Sequence, residues 1–176
     1  MQLDLTRYRE PLGHLSRTFQ PADVAQDGDA YRIAEPVALD FEINKDKEKF
    51  RLVGTARTEL ERTCSRCLEP FRMPVDSSFD LRFLPATDMP TDDERELQED
   101  DVETSYYRDD QIDLNELLRE QFYLALPMKP LCLEDCKGLC TQCGTNLNAG
   151  TCACEAVWED PRLAPLKGLA RPRGES

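Results

Sequence analysis

The sequence predicts an α+β fold in which an antiparallel β meander is covered by a helix and followed by a C-terminal cysteine-rich module. Three observations predict it. Residues 31–83 alternate apolar and polar side chains with a period of two, residues 114–126 carry apolar side chains at helical spacing, and six of the eight cysteines fall within residues 132–154. Strands followed by an amphipathic helix make two layers, the helix stripe covering the inner face of the sheet.

The first strand is read from Val37, Leu39, Phe41 and Ile43, and Tyr31 and Ile33 extend the same odd-numbered face. The turn Asn44-Lys45-Asp46-Lys47 leads into a second strand, whose Phe50, Leu52, Gly54, Ala56, Thr58 and Leu60 share one side while Arg51, Thr55, Arg57, Glu59 and Glu61 share the other. Cys64-Ser65-Arg66-Cys67 then forms the tip of a hairpin. In the third strand Phe71, Met73, Val75, Phe79, Leu81 and Phe83 alternate with charged or small residues. Pro74 supplies no ladder donor, so this strand lies at an edge or carries a bulge. Asp113-Leu114-Asn115-Glu116 has the pattern of a helix N-terminus, and Leu114, Leu117, Leu118, Phe122, Ala125 and Leu126 follow on one stripe until Pro127 stops the helix. Near the C-terminus Asp160-Pro161 opens a short helix limited by Pro165 and Gly168, and Trp158 is expected to pack against the cysteine module.

The cysteines stand as Cys64-x2-Cys67, Cys132-x3-Cys136-x3-Cys140-x2-Cys143 and Cys152-x-Cys154, two sets of four. Four thiolates are the ligand set of a closed tetrahedral zinc site. The competing account is four disulfides. Met1-Gln2-Leu3-Asp4-Leu5-Thr6-Arg7 has no apolar stretch of signal-peptide length, and no run approaches the roughly 20 apolar residues of a membrane span, so a cytoplasmic chain with reduced thiols and no membrane association is expected. The favoured partition gives one zinc to Cys64, Cys67, Cys132 and Cys136, stapling the hairpin tip to the helix exit, and a second to Cys140, Cys143, Cys152 and Cys154. The alternative joins Cys132, Cys136, Cys140 and Cys143 and sends Cys152 and Cys154 to the hairpin. Gly138 and Gly144 flank the second pair, where a missing side chain lets a knuckle turn adopt positive φ. The implied organisation is a β-rich α+β domain over residues 1–127 with an acidic loop at about 87–105, a zinc-binding cysteine-rich module over 128–160, and a short helix and tail over 161–176.

An enzyme is not expected. Eight cysteines fill two closed sites with no open coordination position. The one histidine, His14, sits near what reads as a loose N-terminus, with no nucleophile or phosphate-binding glycine motif to accompany it. No small-molecule substrate is indicated. The net charge of −13 opposes generic nucleic-acid binding, which lysine and arginine drive. Charge is uneven, however. From Asp88 to Glu103 nine acids face Arg95 alone, a stretch too polar to build a core and read as a solvated loop. Residues 45–72 carry +3, and Arg57, Arg62, Arg66 and Arg72 are the candidate phosphate contacts if RNA is touched, with Lys167, Arg171 and Arg173 assisting. A solvated sheet face explains the same arginines, and Arg66 equally suits a role covering thiolate charge.

Cys64-Ser65-Arg66-Cys67-Leu68 on a hairpin, an acidic middle, Ile112-Asp113-Leu114 opening a helix that ends Leu126-Pro127-Met128-Lys129-Pro130-Leu131-Cys132, then Cys136-Lys137-Gly138-Leu139-Cys140, Cys143-Gly144-Thr145-Asn146-Leu147-Asn148 and Cys152-Ala153-Cys154, closing on Asp160-Pro161-Arg162-Leu163-Ala164-Pro165-Leu166, resembles the YceD family. The resemblance runs from about residue 35 to 169. It implies a role in accumulating or processing large-subunit (23S) ribosomal RNA and in ribosome assembly, without chemistry of the protein's own. The implied partners are that rRNA, a ribosomal protein or an assembly intermediate. Two other roles fit the residues: an adaptor that docks a basic ribosomal protein through the acidic loop, and a zinc or thiol redox sensor.

Overall fold

In a computed structural model, residues 1–8, 10–25, 28–89, 104–154 and 162 are described. The acidic residues 90–103, Trp158, and the expected helix and tail apart from Arg162 lie outside them. The chain runs β1 (Gln2–Asp4), β2 (Leu12–Phe19), α1 (Pro21–Val24), β3 (Arg32–Ile33), β4 (Val37–Asp46), β5 (Lys49–Thr63), β6 (Pro70–Pro85), β7 (Thr104–Tyr107), β8 (Gln111–Asp113) and α2 (Leu114–Ala125). Among these helices none is long and apolar enough to cross a membrane.

The meander β4-β5-β6 is the centre of a larger sheet with the order β2-β4-β5-β6-β7, and β3 also pairs with β5. All pairings are antiparallel except β6 with β7, which run parallel. A separate two-stranded sheet joins β1 to β8. The N-terminal region expected to be loose is therefore corrected: β2 pairs along its whole length with β4, and His14 lies on it, exposed, with Nε2 3.2 Å from Asp40 Oδ1. The first predicted strand is also two pieces. Arg32 pairs with Glu61, whereas Ala38 pairs with Arg57, so two extra residues accumulate around Ala34-Glu35-Pro36. That kink has a use: the buried Thr58 hydroxyl donates to the Glu35 carbonyl at 2.8 Å, satisfying a polar group inside the core.

Pro74 falls where sterics require. It faces Glu59 on β5, while β7 covers only Arg82–Pro85 of β6, so the other side of Pro74 is an open edge and the register stays unbroken. Asp113 caps α2, its carboxylate accepting from Asn115 N–H at 2.8 Å, and Leu114, Leu117, Leu118 and Phe122 pack onto the odd-numbered face of β4 and the even-numbered face of β5. Ala125, expected on this stripe, is exposed, whereas Leu126 after it packs against the core. Phe41, Phe122, Leu39, Leu52, Leu60 and Leu118 are almost fully buried at the centre.

The loop before β3 is clasped to α2. Arg119 Nε donates to Asp29 at 2.7 Å, Tyr123 Oη donates to the same carboxylate at 3.1 Å, and Tyr31 packs edge-on against Phe122. Burial, then the charges of Asp29 and Tyr123, pushes the Tyr31 phenol well above its ordinary value. A group whose folded pKa is raised contributes stability that is complete below the unfolded value, about 10 for tyrosine, and is lost as pH rises beyond it. The denaturant midpoint should therefore fall as pH rises above about 10, and Tyr31→Phe should flatten part of that decline; identical slopes in the two proteins would contradict it.

Candidate metal centres

The hairpin tip and the segment after α2 meet where the chain brings two groups of four sulfurs together. Cys64, Cys67, Cys132 and Cys136 form the first and Cys140, Cys143, Cys152 and Cys154 the second, with all sulfurs of each group within 4.8 Å of one another. This is the grouping that the short Cys140–Cys154 loop favours; the alternative partition is not seen. None of the eight cysteines is in a disulfide. In the first group Cys64 Sγ lies 3.8 Å from Cys136 Sγ, and Cys67 Sγ lies 3.6 Å from Cys132 Sγ. A tetrahedral zinc with arms of about 2.3 Å has edges of about 3.8 Å, so the donor set and its spacing fit that ion.

The two Cys-x2-Cys turns have one backbone design. In the first, Leu68 N–H donates to Cys64 O at 3.0 Å and Cys64 N–H to Glu69 O at 2.9 Å. In the second, Gly144 N–H donates to Cys140 O at 2.9 Å and Cys140 N–H to Thr145 O at 2.8 Å. The residue after each pair is left-handed, Gly144 at φ 72° and Leu68 at φ 61°. Glycine meets that demand without strain, whereas a side chain there costs roughly 1–2 kcal/mol. Leu68 is 62% exposed and so recovers little by burial. Leu68→Gly should accordingly stabilise the tip by about 0.5–1 kcal/mol, read as a higher denaturant midpoint of the metal-loaded chain. A loss of stability would show that Leu68 makes a contact that outweighs its strain.

Electrostatics within each group is uneven. The Cys64 thiol is held down, to about 6, by the Cys67 N–H, then by those of Cys132 and Arg66. Cys143 is likewise held at about 6, by the hydroxyl and N–H of Thr145. Burial pushes Cys132 up to about 12, and the neighbouring Cys143 sulfur does the same to Cys154. Four sulfurs this close cannot all ionise unless a cation stands among them. The first group is enclosed, with Cys64, Cys67 and Cys136 buried and Phe71, Leu131 and Leu139 packed around them. The second is open, with Cys143 and Cys154 exposed.

The candidate RNA contacts are distributed differently. Arg57 Nε lies 2.9 Å from Asp76, and Arg72 pairs with Glu35 at 3.2 Å and Glu59 at 3.8 Å. Arg51 pairs with Asp80 and Arg32 with Glu61, so the outer sheet face is a field of crossed ion pairs. Arg62 is half-buried on β5 opposite Phe71. Arg66 is directed to the metal-site loop, its Nη1 donating to Cys136 O at 2.8 Å. Lys167, Arg171 and Arg173 lie outside the described residues.

Sequence reasoning missed Asn148, whose side chain reaches from the second loop to Cys136 Sγ at 3.2 Å. The Asn-Leu-Asn spacing after Cys143-Gly144-Thr145 was the available signal.

No solved structure matches this chain. Among curated proteins it is 29% identical over 164 residues to a chloroplastic large ribosomal RNA subunit accumulation protein homologue of Zea mays, covering 76% of this chain and 53% of that one. The corresponding Arabidopsis thaliana protein is 27% identical over 167 residues, covering 83% and 52%. An uncharacterised protein of Mycobacterium tuberculosis is 33% identical over 138 residues, covering 78% and 64%. The chain thus spans about half the length of the plant relatives. The family described as "Large ribosomal RNA subunit accumulation protein YceD" matches residues 52–170, a stretch that takes in most of both hairpin strands and all eight cysteines, and the chain belongs to that family.

Proposed function

We propose that this protein is a non-enzymatic factor, held in shape by two structural zinc ions, that supports accumulation or processing of large-subunit (23S) ribosomal RNA during ribosome assembly in a reducing, cytoplasmic compartment. The observation that carries the metal reading is the pair of four-sulfur groups, each gathered within 4.8 Å, with the first at the spacing of a tetrahedral site. The family name of the matched relatives carries the ribosomal reading. All-cysteine coordination leaves no open position for a reacting water, which favours a structural metal over a catalytic one.

The working partner is a basic ribosomal protein or an assembly intermediate that contains one. Arg57, Arg66 and Arg72 already have acceptors on their own chain, and each phosphate contact made by Arg57 or Arg72 would displace an ion pair. Exposed pairs are worth at most about 1 kcal/mol, so the exchange is feasible, but it reduces the gain from RNA. The charge of −13, concentrated at residues 88–103, attracts lysine-rich protein surfaces instead. Capture with the tagged full chain from growing cells, before and after nuclease, tests this. Ribosomal protein should remain bound after nuclease and weaken with salt. Complete loss with nuclease, together with loss on Arg57→Ala and Arg72→Ala, would instead establish direct RNA contact; recovery of no ribosomal component would reject the ribosomal role.

A further inference from the structure

The two sulfur groups are joined by one side chain. Asn148 lies in the loop between Cys143 and Cys152, both members of the second group, yet its Nδ2 donates to Cys136 Sγ of the first group at 3.2 Å. The same nitrogen donates to Asn146 Oδ1 at 3.0 Å, and its Oδ1 accepts from Lys137 N–H at 2.8 Å. Both amide hydrogens and the carbonyl are therefore committed. Turning the amide over would set its oxygen against sulfur and its NH2 against an N–H, so these partners fix the orientation. The backbone beside it follows the same route. Leu139 N–H donates to Arg66 O of the first knuckle at 3.2 Å, and Leu147 N–H of the second loop donates to Gly138 O at 2.9 Å. Gly138 is clamped between the two, since a Cβ there would meet Arg66 O at 3.1 Å and φ is 76°.

An N–H donor to a metal-bound thiolate disperses its charge and fixes its direction, and outer partners of this kind alter metal affinity by about 10- to 100-fold. Asn148 can serve Cys136 only while its loop is closed, and closure of that loop depends on Cys143 and Cys152 converging. From this geometry we propose that Asn148 is a positioning residue that couples the two zinc centres, so that filling the second, exposed centre tightens metal binding at the first, buried one. Linkage makes the effect reciprocal: an occupied first centre tightens the second by the same factor. Loss of zinc from the open centre is thereby transmitted to the staple between hairpin and helix exit. This inference rests on the zinc reading above.

The test is competition with a chromophoric zinc chelator on the full chain under reducing conditions, with released metal counted. The wild type should hold two equivalents. Removing the second centre with Cys152→Ser and Cys154→Ser should lower first-centre affinity about tenfold, and Asn148→Ala alone should lower it about as much. Combining the changes should produce no further fall, the signature of one shared route. Asn148→Asp keeps the shape without the donor and should behave like Asn148→Ala; if it restores wild-type affinity, the side chain acts by packing and the proposal fails. First-centre affinity within twofold of wild type in Asn148→Ala, with two equivalents bound, or losses that multiply in the combined variant, overturns the coupling and leaves the zinc reading intact. A wild-type chain that binds fewer than two equivalents overturns the zinc reading itself. Far-ultraviolet circular dichroism of each variant confirms that the sheet, whose core contains none of these residues, is retained.

Discussion

With zinc in both sulfur groups as proposed, stripping the metal from the reduced protein should unravel residues 130–154 and the hairpin tip at 64–69 while leaving the six-stranded sheet standing. The segment from Pro130 to Cys154 contains no helix or strand, only an isolated bridge between Leu139 and Asn146. Its apolar cluster consists of Cys64, Cys67 and Cys136 with Phe71, Leu131, Cys132 and Leu139 around them, separate from the main core. So small a cluster cannot offset the entropy of ordering some 25 residues at roughly 1–2 kcal/mol of backbone freedom each. Metal coordination at two four-sulfur sites is the one further stabilising term this segment has, and structural zinc contributes about 10–16 kcal/mol per site in small folding units. The sheet has its own core of Phe41, Leu52, Leu60, Leu118 and Phe122 and does not draw on the metal. Hydrogen exchange should show near-complete loss of protection at Ser65, Cys136, Leu139 and Cys140, whose N–H groups bond within the module, with protection across β4 and β5 unchanged. Release should begin at the exposed Cys143 and Cys154. Loss of protection spread evenly over the sheet would show that the module is part of the main folding unit; undiminished protection at the tip would show that the thiols hold it without metal.

The parts legible in the sequence were those whose periodicity records burial on one side. β4, β5 and β6 alternate because one face meets α2 and the other meets solvent, and the sulfur grouping followed from loop length. β2 left no such record. Leu12, His14, Ser16, Arg17 and Thr18 are exposed and only Phe19 is buried, so its strand identity comes from pairing with β4 and not from its own side chains. β7 and β8 are four and three residues long, too short for a period to show, and tertiary pairing decides them. The left-handed Leu68 was hidden because leucine does not favour that region. Comparison of the two knuckles would have found it, since Gly144 occupies the equivalent position and displays the requirement openly. Arg57 and Arg72 lie on the outer sheet face, but their ion pairing with Asp76, Glu35 and Glu59 depends on cross-strand register, which composition does not contain.

Replacing Gly54 by alanine should be the most damaging single methyl addition in the sheet. Gly54 stands opposite Phe41 on β4 and Phe79 on β6, and those two rings meet over it with centroids 6.2 Å apart. A Cβ at this position would press on Asp40 O and Phe41 Cβ and lie 2.6 Å from Phe41 Cα. Two of these three atoms are backbone, so no rotamer change relieves the contact; β4 and β5 must separate at the middle of the sheet. Overpacking a well-filled core costs typically about 1–3 kcal/mol, and a clash against main chain belongs at or above the upper end. We expect a loss of about 3 kcal/mol or more in chemical denaturation, a large share of the roughly 5–15 kcal/mol that holds a domain together. Ala56 provides the control. It is fully buried on the same strand and face, and Ala56→Gly removes a methyl without a clash, so it should cost only about 1–2 kcal/mol. A Gly54→Ala variant as stable as the wild type would mean that β4 and β5 can part there without disturbing Phe41 and Phe79. The tightest point of the sheet would then lie elsewhere, and the closure of the two rings would not be what demands glycine.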